Sequence, residues 1–302
     1  MPRWFLSVLA VCLLWLAACA PSETNTPQVL RLGMVPFETG EELLRDIQPM
    51  IDVIEAGMGM EVIPTVAADY TGVVEAFKNQ QLDVAFLSPA AYVLAAQEAN
   101  VRVILKSHRD GSPNYYGAII VRADSPIQTV ADLKGKRFAF GDPLSTSGHI
   151  FARKLMLEAG LNPERDLEKF IYAGSHDATI LSVLNQKVDA GASYADDLDG
   201  KSSAWQRFLD PRDHHKIRVL AYTEPIPSDN ICVSAEFPEA LTQKLFETIT
   251  AFTESEAGHA LVKKLYKLDG YVAATDADYA PIRAGFQAAG IDLKASLSQP
   301  AN

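Results

Sequence analysis

Short apolar runs of strand character alternate with helix-patterned segments through most of the chain, and this alternation restricts the possible folds more than any other feature. It predicts an α/β architecture with largely parallel sheets, because a strand followed by a helix returns to lie beside its predecessor. Val29 to Val35 reads as a first strand. Leu43, Leu44, Ile47, Ile51 and Ile54 then recur at helical spacing, with Pro49 expected to kink the helix. Glu61 to Val66 is a second strand, Tyr70 to Asn79 a second helix, and Leu82 to Leu87 a third strand ending at Ser88-Pro89. Three such units make a doubly wound domain, in which ligands sit at the carboxyl ends of the strands.

A strongly apolar strand from Tyr116 to Arg122 opens a second α/β series. It continues with Arg137 to Phe140, a loop and a helix to Gly160, a strand near Phe170, a helix after His176, and strands at Val188 to Ala192 and Arg218 to Thr223. Ile231 to Ser234 and helices over Pro238 to Glu254 and Glu256 to Leu268 follow. The expected architecture is therefore two doubly wound α/β lobes joined by a two-strand hinge. Residues 29–121 plus 224–302 form the first lobe and 122–223 the second, with crossings near residues 121 and 224 and the ligand cleft between them.

Gly141-Asp142-Pro143-Leu144-Ser145-Thr146-Ser147-Gly148-His149 follows a strand and precedes a helix carrying Ile150, Phe151, Leu155 and Ala159. Three hydroxyls thus gather at a helix amino terminus, where the first N–H groups lack intrahelical partners and the dipole is positive, an arrangement that holds an anion with neutral donors. One hydroxyl would suffice to cap the helix. Three before a glycine exceed that need.

These residues resemble the phosphate, phosphite and phosphonate substrate-binding proteins of ABC importers. The resemblance covers roughly residues 30–290 and is carried by Asp69-Tyr70, Leu82-Asp83-Val84-Ala85, Tyr115-Tyr116-Gly117, Ser145-Thr146-Ser147-Gly148, Gly174-Ser175-His176-Asp177-Ala178, Val188-Asp189-Ala190 and Pro225-Ile226-Pro227-Ser228-Asp229. It implies a type II periplasmic-binding-protein fold and an oxyanion held by Tyr70, Tyr116, Ser145, Thr146, Ser147, His176 and Asp229. Asp229 is the unusual member: a carboxylate beside an anion repels it unless the ligand brings a proton to share, which sulfate cannot do. Aminoalkylphosphonate binders of the family place a glutamate where this chain has Asp196, which either meets a ligand ammonium or is a solvated loop acid. The resemblance further implies a permease partner, no catalytic residues and no cofactor.

The amino terminus reads as an export signal over residues 1–18: Arg3, an uncharged run from Trp4 to Ala18, then Leu16-Ala17-Ala18-Cys19. The run is shorter than the roughly twenty residues of a spanning helix. Its end looks like a bacterial lipobox, which makes Cys19 the lipidation site, residues 19–28 a tether, and the folded part extracytoplasmic and held to the membrane by acyl chains. Cys12 falls in the signal, so Cys232, within an apolar run, reads as a lone buried thiol. With 38 acidic against 27 basic side chains, the chain lacks the basic face that nucleic acid requires. A monomer is expected. His214-His215 reads as a solvated loop, and no metal site is expected.

Two other functions fit parts of the pattern. Ser145 or Ser147, His176 and Asp229 can be recast as a hydrolase triad, although the chain has no Gly-x-Ser-x-Gly elbow. The same fold can also serve as a ligand sensor feeding a signalling protein. Which oxyanion is bound depends on the space around its fourth substituent, and the residue pattern leaves that open.

Overall fold

The computed structural model describes residues 29–292; the expected signal, tether and Cys19 lie outside the described residues. Its strands are β1 (Val29–Met34), β2 (Glu61–Val66), β3 (Val84–Leu87), β4 (Arg102–His108), β5 (Asn114–Arg122), β6 (Arg137–Phe140), β7 (Lys169–Tyr172), β8 (Ala190–Ala195), β9 (Ile217–Pro227), β10 (Asn230–Val233) and β11 (Gly270–Ala273). They form a six-stranded sheet, β11-β4-β10-β3-β1-β2, and a five-stranded sheet, β7-β6-β8-β5-β9.

Each sheet is parallel only at its wound half. β2, β1 and β3 run parallel, as do β7, β6 and β8. The remaining pairings are antiparallel, because strands next to a crossing re-enter from the opposite direction. The expectation of largely parallel sheets is corrected accordingly.

Helix Gly40–Met58 runs through Pro49 and buries Leu43, Ile47, Met50, Ile51, Ile54 and Met58 against the first sheet, while Leu44 faces outward. In the second sheet, β5 is covered on both sides: Ile119 and Val121 join one apolar cluster and Ala118 and Ile120 another. That double burial holds β5 in the second sheet along its whole length, paired with β9 from Asn114 opposite Pro227. The chain consequently passes between the sheets at 109–113 and 228–229, not near 121 and 224. The two passages lie side by side: Ser107 N–H donates to Asp229 C=O at 2.9 Å and Ser228 N–H to Pro113 C=O at 2.9 Å. Cys232 is fully buried on β10, and burial pushes its thiol far up, as suits a packing residue.

Candidate functional site

A cleft of about 1230 Å³ opens between the two sheets' lobes. Two helix starts face each other across it. From the first lobe, β3 leads into Ser88, whose hydroxyl caps helix Pro89–Ala99 by accepting Ala91 N–H at 3.3 Å. From the second, β6 leads into Gly141–Ser145, and the Ser145 hydroxyl accepts Gly148 N–H at 3.0 Å. The two starts touch directly: Ala90 N–H donates to Thr146 Oγ1 at 2.9 Å.

The hydroxyl segment does not enter an ordinary α-helix. Thr146–Ile150 forms one π-helical turn, with Ile150 N–H donating to Ser145 C=O at 3.1 Å, before the α-helix Phe151–Glu158 begins. Such wide turns recur at functional sites because they spread the first amides and hydroxyls. Gly148 is required here, since a Cβ would sit 2.8 Å from Ser145 Oγ. Asp142 braces the loop, accepting Leu144 N–H at 2.7 Å and, from the other lobe, Tyr70 N–H at 3.3 Å; burial pushes its carboxyl up to about 6. His149 supports the loop from behind, with Nδ1 2.8 Å from Pro143 C=O and Nε2 3.2 Å from the Tyr172 hydroxyl.

Seven of the eight expected site residues line this cleft: Tyr70, Ser145, Thr146, Ser147, His176, Asp196 and Asp229. Tyr70 is the first residue of helix Tyr70–Lys78, behind the capping Asp69. His176 opens helix His176–Leu184, and its N–H donates to Phe37 C=O of the first lobe at 3.1 Å. Its Nδ1 lies 3.0 Å from Ser193 Oγ, and burial pushes the imidazole down to about 4, so the ring is neutral at pH 7 with Nε2 left for the cleft.

Tyr116 is the exception. Side chains alternate along a strand, so only one of two adjacent tyrosines faces the cleft. That one is Tyr115, which is buried and shares hydrogen bonds with the Thr146 and Ser147 hydroxyls. Tyr116 lies on the other face of β5 against Tyr222, ring centroids 6.4 Å apart. Burial pushes the Tyr70 and Tyr115 phenols far up, so both remain protonated donors.

Sequence reasoning also missed Ser88 and Arg109. Arg109 reaches the cleft from a tight turn, Asp110-Gly111, in which both residues have positive φ (46° and 76°) and the Arg109 and Ser112 backbones exchange two hydrogen bonds of 2.8 Å. The Asp-Gly pair is a hairpin signal that was available in the sequence. The guanidinium lies 3.3 Å from Asp196 Oδ1 and 3.4 Å from Asp229 Oδ2, and donates to Ser107 Oγ at 2.8 Å. Burial raises the Asp229 carboxyl above its usual range, Arg109 opposes that, and Asp196 adds to it.

The hydrolase arrangement is not assembled. Asp229 pairs with Arg109 and His176 with Ser193, while the Ser145 hydroxyl serves as a cap. Among the described residues, no cluster of His, Cys, Asp or Glu is suited to hold a metal; His214 and His215 lie in the exposed turn Pro211–Lys216.

The family model described as "ABC transporter, phosphonate, periplasmic substrate-binding protein" matches residues 32–279. The chain is 27% identical over 262 residues to the phosphonates-binding periplasmic protein of Escherichia coli, covering 85% of this chain and 75% of that one. It is 29% identical over 306 residues to the phosphate-import protein PhnD of Mycolicibacterium smegmatis, covering 92% and 94%. Among solved structures, PhnD1 of Prochlorococcus marinus in complex with methylphosphonate superposes with a TM-score of 0.75 at 20% identity, covering 87% of this chain and 98% of that one.

Proposed function

The chain belongs to the family of periplasmic phosphonate-binding proteins of ABC transporters, and we propose that it captures a small phosphorus oxyanion, a phosphonate or phosphite, between its lobes and presents it to the importer's permease. The family is one of substrate-binding proteins and not of enzymes. The observation that carries the ligand reading is the pair of opposed helix starts, Ser88–Ala91 and Ser145–Gly148, with Tyr70, Tyr115 and His176 around them. Every one of those groups is neutral, and each can donate or share a hydrogen bond. Helix-start amides favour negative charge without a counter-ion, and hydrogen bonds to a charged acceptor are the strong ones.

In this reading the oxyanion sits between the helix starts, with oxygens toward Ser145, Thr146, Ser147 and Tyr115 from one lobe and Tyr70 from the other. Asp229 takes a proton-bearing oxygen, and its raised carboxyl suits a shared proton. The passages at 109–113 and 228–229 act as the hinge, so ligand contacts made from both lobes favour the joined form. The protein works as a monomer, tethered outside the cytoplasm by acyl chains on Cys19; the support for the anchor is the residue pattern Leu16-Ala17-Ala18-Cys19.

The test is a thermal-shift and calorimetry panel of phosphite, methylphosphonate, phosphate and sulfate. A ligand at ~1,000 times its dissociation constant stabilises by ~4 kcal/mol. The triple variant Ser145→Ala/Thr146→Ala/Ser147→Ala should bind none of them, at ~1–3 kcal/mol per lost donor. Equal binding by that variant, or a preference for sulfate, refutes the site.

A further inference from the structure

Two carboxylates, Asp196 and Asp229, reach the cleft from different parts of the chain, and the same guanidinium stands between them. Two unpaired carboxylates beside an oxyanion site would draw in a cation. Here the cation is already built in. Arg109 is held by the Asp110-Gly111 turn and by its bond to Ser107, so its position does not rest on a flexible side chain alone. Its side chain is only 14% exposed. The second oxygen of Asp196 is also committed, accepting the Ser202 hydroxyl at 2.7 Å.

We propose that Arg109 is a specificity-determining residue that takes the place of a ligand ammonium: by occupying Asp196 and Asp229 it restricts the site to phosphonates whose substituent carries no positive charge. The inference rests on the proposed oxyanion site and names which members of that ligand class it admits. An ammonium entering this region meets a like charge a few ångströms away in a poorly hydrated space. To reach Asp196 it must displace a guanidinium that makes two ion pairs and a hydrogen bond. A hydrogen, hydroxyl or alkyl substituent provokes neither conflict. Arg109 lies in the passage between the lobes, and Asp196 directly follows β8 of the second lobe, so this ion pair also ties that passage to the second lobe.

The experiment is calorimetry of ethylphosphonate and 2-aminoethylphosphonate, which differ by the ammonium. The parent should bind the ethyl compound more tightly by about tenfold or more, the scale of one unfavourable charge contact. Arg109→Gln frees Asp196 and should reverse the order, and adding Asp196→Asn to that variant should remove the gained preference. Tighter binding of the amino compound by the parent overturns the inference without any variant having to fold. So does an unchanged ratio in a folded Arg109→Gln. If the parent binds none of these two, methylphosphonate and phosphite, the proposed function itself falls; if it binds ethylphosphonate and the ratio fails, only Arg109's role does.

Discussion

At the mouth of the cleft, Arg207 of the second lobe grips Glu38 of the first with contacts of 2.9 and 3.2 Å from one guanidinium nitrogen and 3.2 Å from another, and lies 3.3 Å from Asp46. The Arg207 side chain is 22% exposed and that of Glu38 only 3%. Removing one partner of a buried pair costs about 3–5 kcal/mol, mostly because the other charge stays buried alone. Arg207 is partly wet, and Glu38 can regain water when the lobes part. The penalty therefore falls on closure, at about half that range, so Arg207→Met should weaken oxyanion binding by about ten- to a hundredfold. Protonation gives the argument a sign. Burial raises the Glu38 carboxyl, so the joined form binds the proton more readily than the parted one. Without Arg207 to oppose that rise, the variant's deficit relative to the parent should shrink as pH falls through the raised value. Adding Glu38→Gln to Arg207→Met should recover most of the loss at pH 7. Calorimetry of the three proteins across pH is the assay. Parent-like affinity in Arg207→Met, or a deficit untouched by Glu38→Gln, refutes the latch.

The two adjacent tyrosines give a clean internal control. Tyr115→Phe should cost binding by ~1–3 kcal/mol, through a hydroxyl lost from the site, while Tyr116→Phe should stay within a few tenths in titration calorimetry. The reverse order would mean that β5 presents its other face. For the anchor, the parent expressed with its own amino terminus should sediment with bacterial membranes and Cys19→Ser should not; equal partition of both removes lipidation.

How much was legible in the sequence follows from the range of the signals. The strand and helix alternation is local, and it predicted each of the eleven strands near its place except β4 and β11. Arg102–His108 escaped because its burial pattern mixes inward aliphatics with Lys106 and His108, and Gly270–Ala273 because it is a short edge strand. The hydroxyl loop was legible because capping chemistry is written in consecutive residues. Its π-helical turn was not, since hydroxyls before a glycine read equally well as the start of an ordinary α-helix. Tyr116 was chosen over Tyr115 because the resemblance carried the pair without its register, and one residue of slip changes the face of the sheet. Arg109 carried no signal as a ligand-site residue at all. Its role is created by Asp196 and Asp229, 87 and 120 positions further along the sequence.

That pairing bears on how an acidic chain, of formal charge −11, can attract an anion at all. Long-range attraction is not available to it, so the affinity has to arise within hydrogen-bond reach. The charged side chains nearest the site are largely used up on one another: Arg109 with Asp196 and Asp229, Arg207 with Glu38 and Asp46. Apart from Asp229, what faces the proposed oxyanion position is a set of neutral hydroxyls, amides and one neutral imidazole. A site of that kind cannot rank ligands by total charge. It ranks them by the number of acceptor oxygens, by the presence of a proton for Asp229, and by whether the remaining substituent tolerates the guanidinium beside it. Phosphorus oxyanions that keep a proton, with a small neutral fourth substituent, meet all three conditions; sulfate fails the second and an aminoalkyl chain fails the third.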